Sequence, residues 1–269
     1  MDLEAEYNNR ARVPEHPLHV AAWARDATAW RYDCPRAELG LAYGSEQRQA
    51  LDLFWPDSGD TAPIAIWIHG GYWQGLDRSM ASHCARGLNG RGIAVAIPSY
   101  TLCPETTIAG IVAEMRMAAG FLFARHGRPM LAAGHSAGGH LAAMLAATDW
   151  ASMGLPGRLV PAIMPVSGLF ELEPLLPTSI ATALRLDVAA ARALSPRLLP
   201  SPGVACHAIV GGAESDEFLR QTRDFAQAWN GSWEAVPEAN HFTVIAPFSD
   251  PAHPVVGLAA AMAEALAGA

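Results

Sequence analysis

Ser136 stands between Gly134 and Gly138 in the run Pro129-Met-Leu-Ala-Ala-Gly-His-Ser-Ala-Gly-Gly-His-Leu141. A G-x-S-x-G spacing of this kind suits a turn in which a strand passes straight into a helix and the central side chain is left protruding, since glycines two residues away remove Cβ atoms that would clash in so tight a bend. The same turn aims the first helical N–H groups at whatever the serine attacks, where they stabilise developing negative charge. A serine hydroxyl is a weak nucleophile unless a base takes its proton and a third group holds that base. Of the ten histidines, His241 in Glu238-Ala-Asn-His-Phe242 falls late in the chain, as the order Ser, acid, His requires. His135 and His140 lie nearer in sequence but read as packing or supporting groups, one inside the elbow and one within the helix.

For the acid, Gly211-Gly-Ala-Glu-Ser-Asp-Glu217 offers three carboxylates after an apolar strand. Glu214 lies three residues beyond the turn glycine, where the acid belongs in this architecture, and a glutamate serves because its task is to accept the imidazole N–H. Asp216 is the rival, although it also reads as the N-cap of the helix that follows. His69-Gly-Gly-Tyr-Trp73 supplies a second glycine turn, in which the backbone N–H groups of Gly70 or Gly71, together with that of Ala137, would form an oxyanion hole. Tyr72 and Trp73 are candidates for the substrate pocket, with core packing as the alternative for each.

These residues need strands that end beside one another. Ile64–Ile68, Ile93–Ile97, Met130–Ala133, Val160–Val166 and Val204–Val210 are short apolar runs of the kind covered on both faces of a parallel sheet. Between them, helical spacing marks Ser79–Leu88, the stretch from Ile108, Leu141–Leu145 and Asp216–Trp229, followed by a short strand at Ser232–Val236 and a closing helix over Val255–Leu266. Leu39–Tyr43 and Ala50–Trp55 read as an antiparallel hairpin. Strands alternating with helices imply right-handed crossovers and a mostly parallel sheet with helices on both faces, an α/β fold. Residues 1–269 are expected to form a single domain, with residues 1–33 as an N-terminal arm and 167–202 as a cap insertion near the site.

The chain has 269 residues, 51% of them hydrophobic, which supports a large core and excludes a disordered class. A net charge of −8, with no Lys/Arg run, argues against a nucleic-acid partner and favours a neutral or cationic small-molecule substrate. The four cysteines have neither disulfide-framework nor metal spacing, so no metal and no cofactor is expected. The acidic start, Met-Asp-Leu-Glu-Ala-Glu-Tyr, is unlike a signal peptide and makes the cytoplasm the expected location. Residues 129–148 are uncharged and long enough to span a bilayer, but their glycines, two histidines and serine argue against lipid burial, so no membrane segment is read. A homo-oligomer packed through the alanine-rich C-terminal helix is left open.

Taken together, H-G-G-x-W, G-H-S-A-G-G-H and the late N-H-F resemble the kynurenine formamidase branch of the α/β-hydrolase superfamily, close to hormone-sensitive-lipase-like esterases. Further segments extend the resemblance through nearly the whole chain: Glu6-Tyr-Asn-Asn-Arg10, Leu51-Asp-Leu-Phe54, Ser99-Tyr-Thr-Leu-Cys-Pro-Glu105 and Glu214-Ser-Asp-Glu-Phe-Leu-Arg-Gln221. The resemblance implies an α/β-hydrolase fold, a serine triad without metal, and action on N-formylkynurenine or small carboxylic esters. Where that family carries an aspartate three residues past the turn glycine, this chain has Glu214. The expected function is a serine hydrolase (arylformamidase or carboxylesterase) cleaving an aryl formamide or small ester through an acyl-enzyme. The alternatives are a broad carboxylesterase and, from another class, a non-catalytic binding protein on a hydrolase scaffold.

Overall fold

The computed structural model describes residues 2–267. Eight strands form one sheet in the order β1-β2-β4-β3-β5-β6-β7-β8. They are β1 (Ala37–Ala42), β2 (Ala50–Phe54), β3 (Ile64–Ile68), β4 (Ala94–Pro98), β5 (Met130–His135), β6 (Ala162–Val166), β7 (Ala205–Gly211) and β8 (Ser232–Val236). The hairpin β1–β2 and its junction with β4 are antiparallel, and every other pairing is parallel. The helices are α1 (Leu3–Tyr7), α2 (Asn9–Arg12), α3 (His16–Asp33), α4 (Ala85–Asn89), α5 (Ile108–His126), α6 (Ala137–Ala146), α7 (Ala181–Leu184), α8 (Val188–Ala193), α9 (Asp216–Ala228) and α10 (Pro254–Ala267).

The continuous apolar strands are explained by cover on both faces. Ile64, Ile66 and Ile68 of β3 join a core with Ile111 and Met115 of α5 and Leu141 of α6, whereas Ala65 and Trp67 face a second core with Leu88 of α4 and Val256 and Ala259 of α10. Both apolar faces are needed because strand side chains alternate. α5 is capped at Thr107, whose side chain accepts the Gly110 N–H, and stops at Gly127 in the left-handed conformation. Among the described residues no helix is long and apolar enough to cross a membrane.

Two stretches depart from the sequence reading. The helix expected over Ser79–Leu88 is a pair of 3-10 turns followed by the short α4. Ser82 Oγ donates to the Arg78 carbonyl, competing with regular helix, and Gly87 is pressed so close to the Phe248 carbonyl that a Cβ there would come within 2.4 Å of its oxygen. The N-terminal arm, expected as a simple extension, consists of three helices and is fastened at both ends. Tyr7 of α1 donates its hydroxyl to Glu217 Oε2 of α9 (2.6 Å) and accepts from Gln221 Nε2 (2.6 Å). At the far end, Arg31 of α3 pairs with the fully buried carboxylate of Asp52 on β2, which also holds Arg78 at 3.1 Å and accepts the Gly40 N–H at 2.8 Å. The arm is therefore stretched across the carboxyl edge of the parallel strands.

Candidate active site

Six parallel strands end at this edge, and β3, β5, β7 and β8 hand over to the segments that carry Gly70 and Gly71, Ser136, Glu214 and His241. β5 ends at His135, and Ser136 follows with φ 57° and ψ −119°, a conformation disfavoured for any residue with a Cβ. The strain is held by packing on every side. A Cβ on Gly134 would lie 2.5 Å from the Gly138 carbonyl oxygen, and one on Gly138 would lie 1.9 Å from that of Ile68. The Ser136 N–H is fixed by the Val166 carbonyl (2.8 Å). Gly138→Ala should therefore prevent the elbow from closing and destabilise the fold by about 3 kcal/mol or more, the range of severe core clashes, measurable by urea denaturation.

β7 ends at Gly211 and turns into Glu214, whose side chain is wholly buried. Its Oε1 accepts the Gly211 N–H (2.8 Å) and the Ser167 hydroxyl, and its Oε2 lies 2.6 Å from His241 Nδ1. Asp216 is exposed and is the first residue of α9, while the N-cap expected of it is Ser215, whose Oγ accepts the Phe218 N–H (3.4 Å). The geometry thus pairs His241 with Glu214 and leaves Asp216 at the surface.

His241 sits between Phe218 and His135, with ring centroids 4.7 Å away on each side. Its carbonyl accepts a hydrogen bond from His135 Nε2 (2.9 Å), so the elbow's own histidine steadies the backbone that carries His241. Burial, reinforced by repulsion from His241, holds the His135 pKa well below the ordinary histidine value, and the neutral ring keeps its Nε2 proton for that bond. With Nδ1 committed to Glu214, Nε2 of His241 is the ring nitrogen left for the cavity it lines with Ser136.

The glycine turn after β3 is pinned from beneath. The Tyr100 hydroxyl lies 3.0 Å from the His69 carbonyl and 3.3 Å from that of Gly70, and His69 Nδ1 donates to the Gly70 carbonyl at 2.8 Å. Its carbonyls are thereby occupied, while the N–H groups of Gly70, Gly71 and Ala137 have no acceptor among the described residues. Gly71 has φ 101° and lines the cavity with Ser136. Tyr72 lines it as well. Trp73 does not, contrary to its expected place in the pocket: both residues have positive φ, and the turn sends the Trp73 ring into the core, perpendicular to His140 at 5.1 Å.

The cavity has a volume of about 470 Å³. Its floor is Ser136, His241 and His135, and its roof is the N-terminal arm, chiefly Pro17, Val20 and Trp23 of α3. Trp23 lies 5.8 Å from Phe242 and edge-on to His135 at 6.0 Å. No residue of 167–202, the expected cap, lines this cavity. From behind, that segment places Ser167 on Glu214 and the Leu194 carbonyl where it accepts from His140 Nε2 (2.8 Å), while Ser179 and Ile180 line a second cavity that adjoins this one.

Comparison with known proteins agrees with this architecture. Residues 51–155 match the family described as BD-FAE. Kynurenine formamidase of Salmo salar is 29% identical over 247 residues, covering 86% of this chain and 83% of the relative, and that of Drosophila melanogaster is 27% identical over 227 residues, covering 76% and 74%. The crystal structure of a proposed thioesterase from a Silicibacter species is 35% identical, covers 96% of this chain and 98% of its own, and superposes with a TM-score of 0.89. The chain belongs to the α/β-hydrolase superfamily, with kynurenine formamidases and esterases among the proteins it resembles. It is a hydrolase.

The hydrolase carries a set of buried neutral histidines besides His241 and His135. Burial brings the pKa of His69, His83 and His140 down to about 4, against 6.5 for an exposed histidine. These are lowered values, so the unfolded chain protonates first as pH falls. The stability each neutral ring contributes is fully present above about pH 6.5 and is lost progressively toward pH 4, by up to about 1.4 kcal/mol per pH unit per group. Melting temperature should therefore drop steadily between about pH 6.5 and pH 4, and His140→Gln should flatten that slope.

Proposed function

We propose that this chain hydrolyses an aryl formamide of the N-formylkynurenine type through a formyl-serine intermediate. The observation that carries the reading is the pairing of His241 with buried Glu214 at 2.6 Å, with His241 and Ser136 opening onto one apolar cavity. The similarity to two kynurenine formamidases supports the choice of bond.

In this mechanism Ser136 Oγ attacks the formyl carbon while His241 Nε2 takes its proton, and Glu214 stabilises the resulting imidazolium through Nδ1–H. The carbonyl oxygen becomes an oxyanion, met by the N–H groups of Gly71, or Gly70, and Ala137, the last at the N-terminus of α6. Collapse of the tetrahedral intermediate breaks the C–N bond. An aniline does not depart as an anion near neutrality, so the imidazolium gives its proton to the leaving nitrogen. Water, deprotonated in turn by His241, then attacks the formyl ester and releases formate, and Ser136 recovers its proton.

A second reading, a carboxylesterase, draws on the cavity itself, which at about 470 Å³ and with apolar walls exceeds what a formyl group needs. The test is kcat/KM for N-formyl-L-kynurenine beside p-nitrophenyl acetate and butyrate, with a phenyl thioester added because of the Silicibacter relative. Preference for the formamide, with butyrate rejected, supports the first reading. Fast turnover of both esters with negligible formamide hydrolysis overturns it.

A further inference from the structure

The cavity over Ser136 adjoins a second one of about 400 Å³, and the two share Asn9, Arg10, Gly71 and Tyr72. The second cavity is the polar one, walled also by Asn8, Gln74 and Ser179. No carboxylate lines either cavity: Glu214 is sealed behind His241, Glu4 is taken up behind the second wall by the Asn8 amide and by the Ser179 N–H and hydroxyl, and Arg10 is the single Arg or Lys on either. Arg10 is exposed, and among the described residues its guanidinium has no ion pair and no hydrogen bond. A fork of donors is therefore left at the mouth of the apolar cavity, in a chain whose overall charge is −8.

Its neighbour is unsatisfied in the opposite sense. Asn9 is only 3% exposed, yet its Oδ1 has no donor. The orientation of that amide is fixed by its surroundings. The Tyr72 hydroxyl spends its hydrogen on the Tyr7 carbonyl, so its oxygen accepts, and it is Asn9 Nδ2 that lies 3.4 Å from it. A buried carbonyl oxygen without a donor is costly in a folded protein, and Asn9 lines both cavities. One residue thus waits for an anion and the next for an N–H donor, on the segment that roofs the site.

We infer that Asn9 and Arg10 bind an α-amino-acid end on the substrate, Arg10 taking the carboxylate and Asn9 Oδ1 an N–H of the ammonium group, while the aryl formamide lies over Ser136. The formamide part of this rests on the proposed function; the anion site does not. It also reverses the expectation of a neutral or cationic substrate, because the charge at the cavity is opposite in sign to that of the whole chain.

The experiment compares substrates with and without the distal amino-acid group. N-formyl-L-kynurenine is paired with formanilide, and O-acetyl-L-tyrosine with p-tolyl acetate, so that the charge sits on the leaving group in both pairs, in the wild type, Arg10→Ala and Arg10→Lys. Arg10 touches no other side chain through a polar contact, so the variants should fold. Arg10→Ala should cut the preference for the carboxylate-bearing partner about 10- to 100-fold, in KM rather than kcat, with partial recovery in Arg10→Lys. Equilibrium binding of L-kynurenine to the Ser136→Ala protein gives the same comparison without turnover, and adding Asn9→Ala should erase its preference over the deamino acid. An Arg10-dependent preference confined to the ester pair, with no formamide cleaved, would remove the formamidase reading and keep the anion site. Preference and binding unchanged by Arg10→Ala in every comparison would overturn the inference.

Discussion

Ser136→Ala should lower kcat for N-formyl-L-kynurenine and for any accepted ester by about 10,000-fold or more, the loss seen when the nucleophile of a serine triad is deleted. The fold should survive, because Ser136 is held through its backbone N–H by the Val166 carbonyl and through the glycines around it, none of which depends on the hydroxyl. Alanine tolerates the positive φ no worse than serine does. Substrate binding should persist, since the cavity walls are contributed by the arm and the Tyr72 turn. Circular dichroism and binding of L-kynurenine check the first two points, and a coupled formate assay checks the rate.

The second large effect is at Glu214. Glu214→Gln keeps the size and the acceptor for the Gly211 N–H and the Ser167 hydroxyl. It presents an amide donor to His241 Nδ1, however, which favours the tautomer with the proton on Nε2, where it blocks removal of the serine proton. A loss in kcat of about 10,000-fold is expected. Asp216→Asn should stay within about twofold, as a surface substitution away from the chemistry. If the two results were exchanged, the assignment of the acid would be wrong whatever the static geometry.

What could be read from the sequence, and what could not, follows from how each feature is encoded. The elbow is legible because its glycines answer to backbone contacts: carbonyl oxygens of Ile68 and Gly138 stand where Cβ atoms would go, so no other residue type fits. The strands of the parallel sheet are legible because cover on both faces demands unbroken apolar runs. The choice between Glu214 and Asp216 was open in the sequence because two carboxylates lie a residue apart, and the structure separates them by burial and by giving the N-cap to Ser215. Trp73 was ambiguous since adjacency to Tyr72 says nothing about which way a left-handed turn sends each ring.

The roof of the site was the larger surprise. The prolines and irregular pattern of residues 167–202 look like an insertion over the site, whereas the arm shows only weak periodicity. That weak periodicity has a physical reason. The site-facing residues Pro17, Val20, Ala21 and Ala24 of α3 do follow helical spacing, but they are small or weakly apolar, and the exposed Leu18 on another face blurs the stripe. The signals that would have found it are the pair Asn9-Arg10 and the buried anchors at its ends, Tyr7 on Glu217 and Arg31 on Asp52, contacts 210 and 21 residues apart that only the folded chain brings together.

The most direct test of the central claim is to titrate the enzyme with a p-nitrophenyl alkylphosphonate, locate the label by peptide mass mapping, and follow formamide hydrolysis in the same samples. Activity toward N-formyl-L-kynurenine should fall in proportion to one phosphonate bound per chain, all of it on Ser136, and excess substrate should slow the labelling. Full modification of Ser136 with the formamidase activity intact would contradict the account.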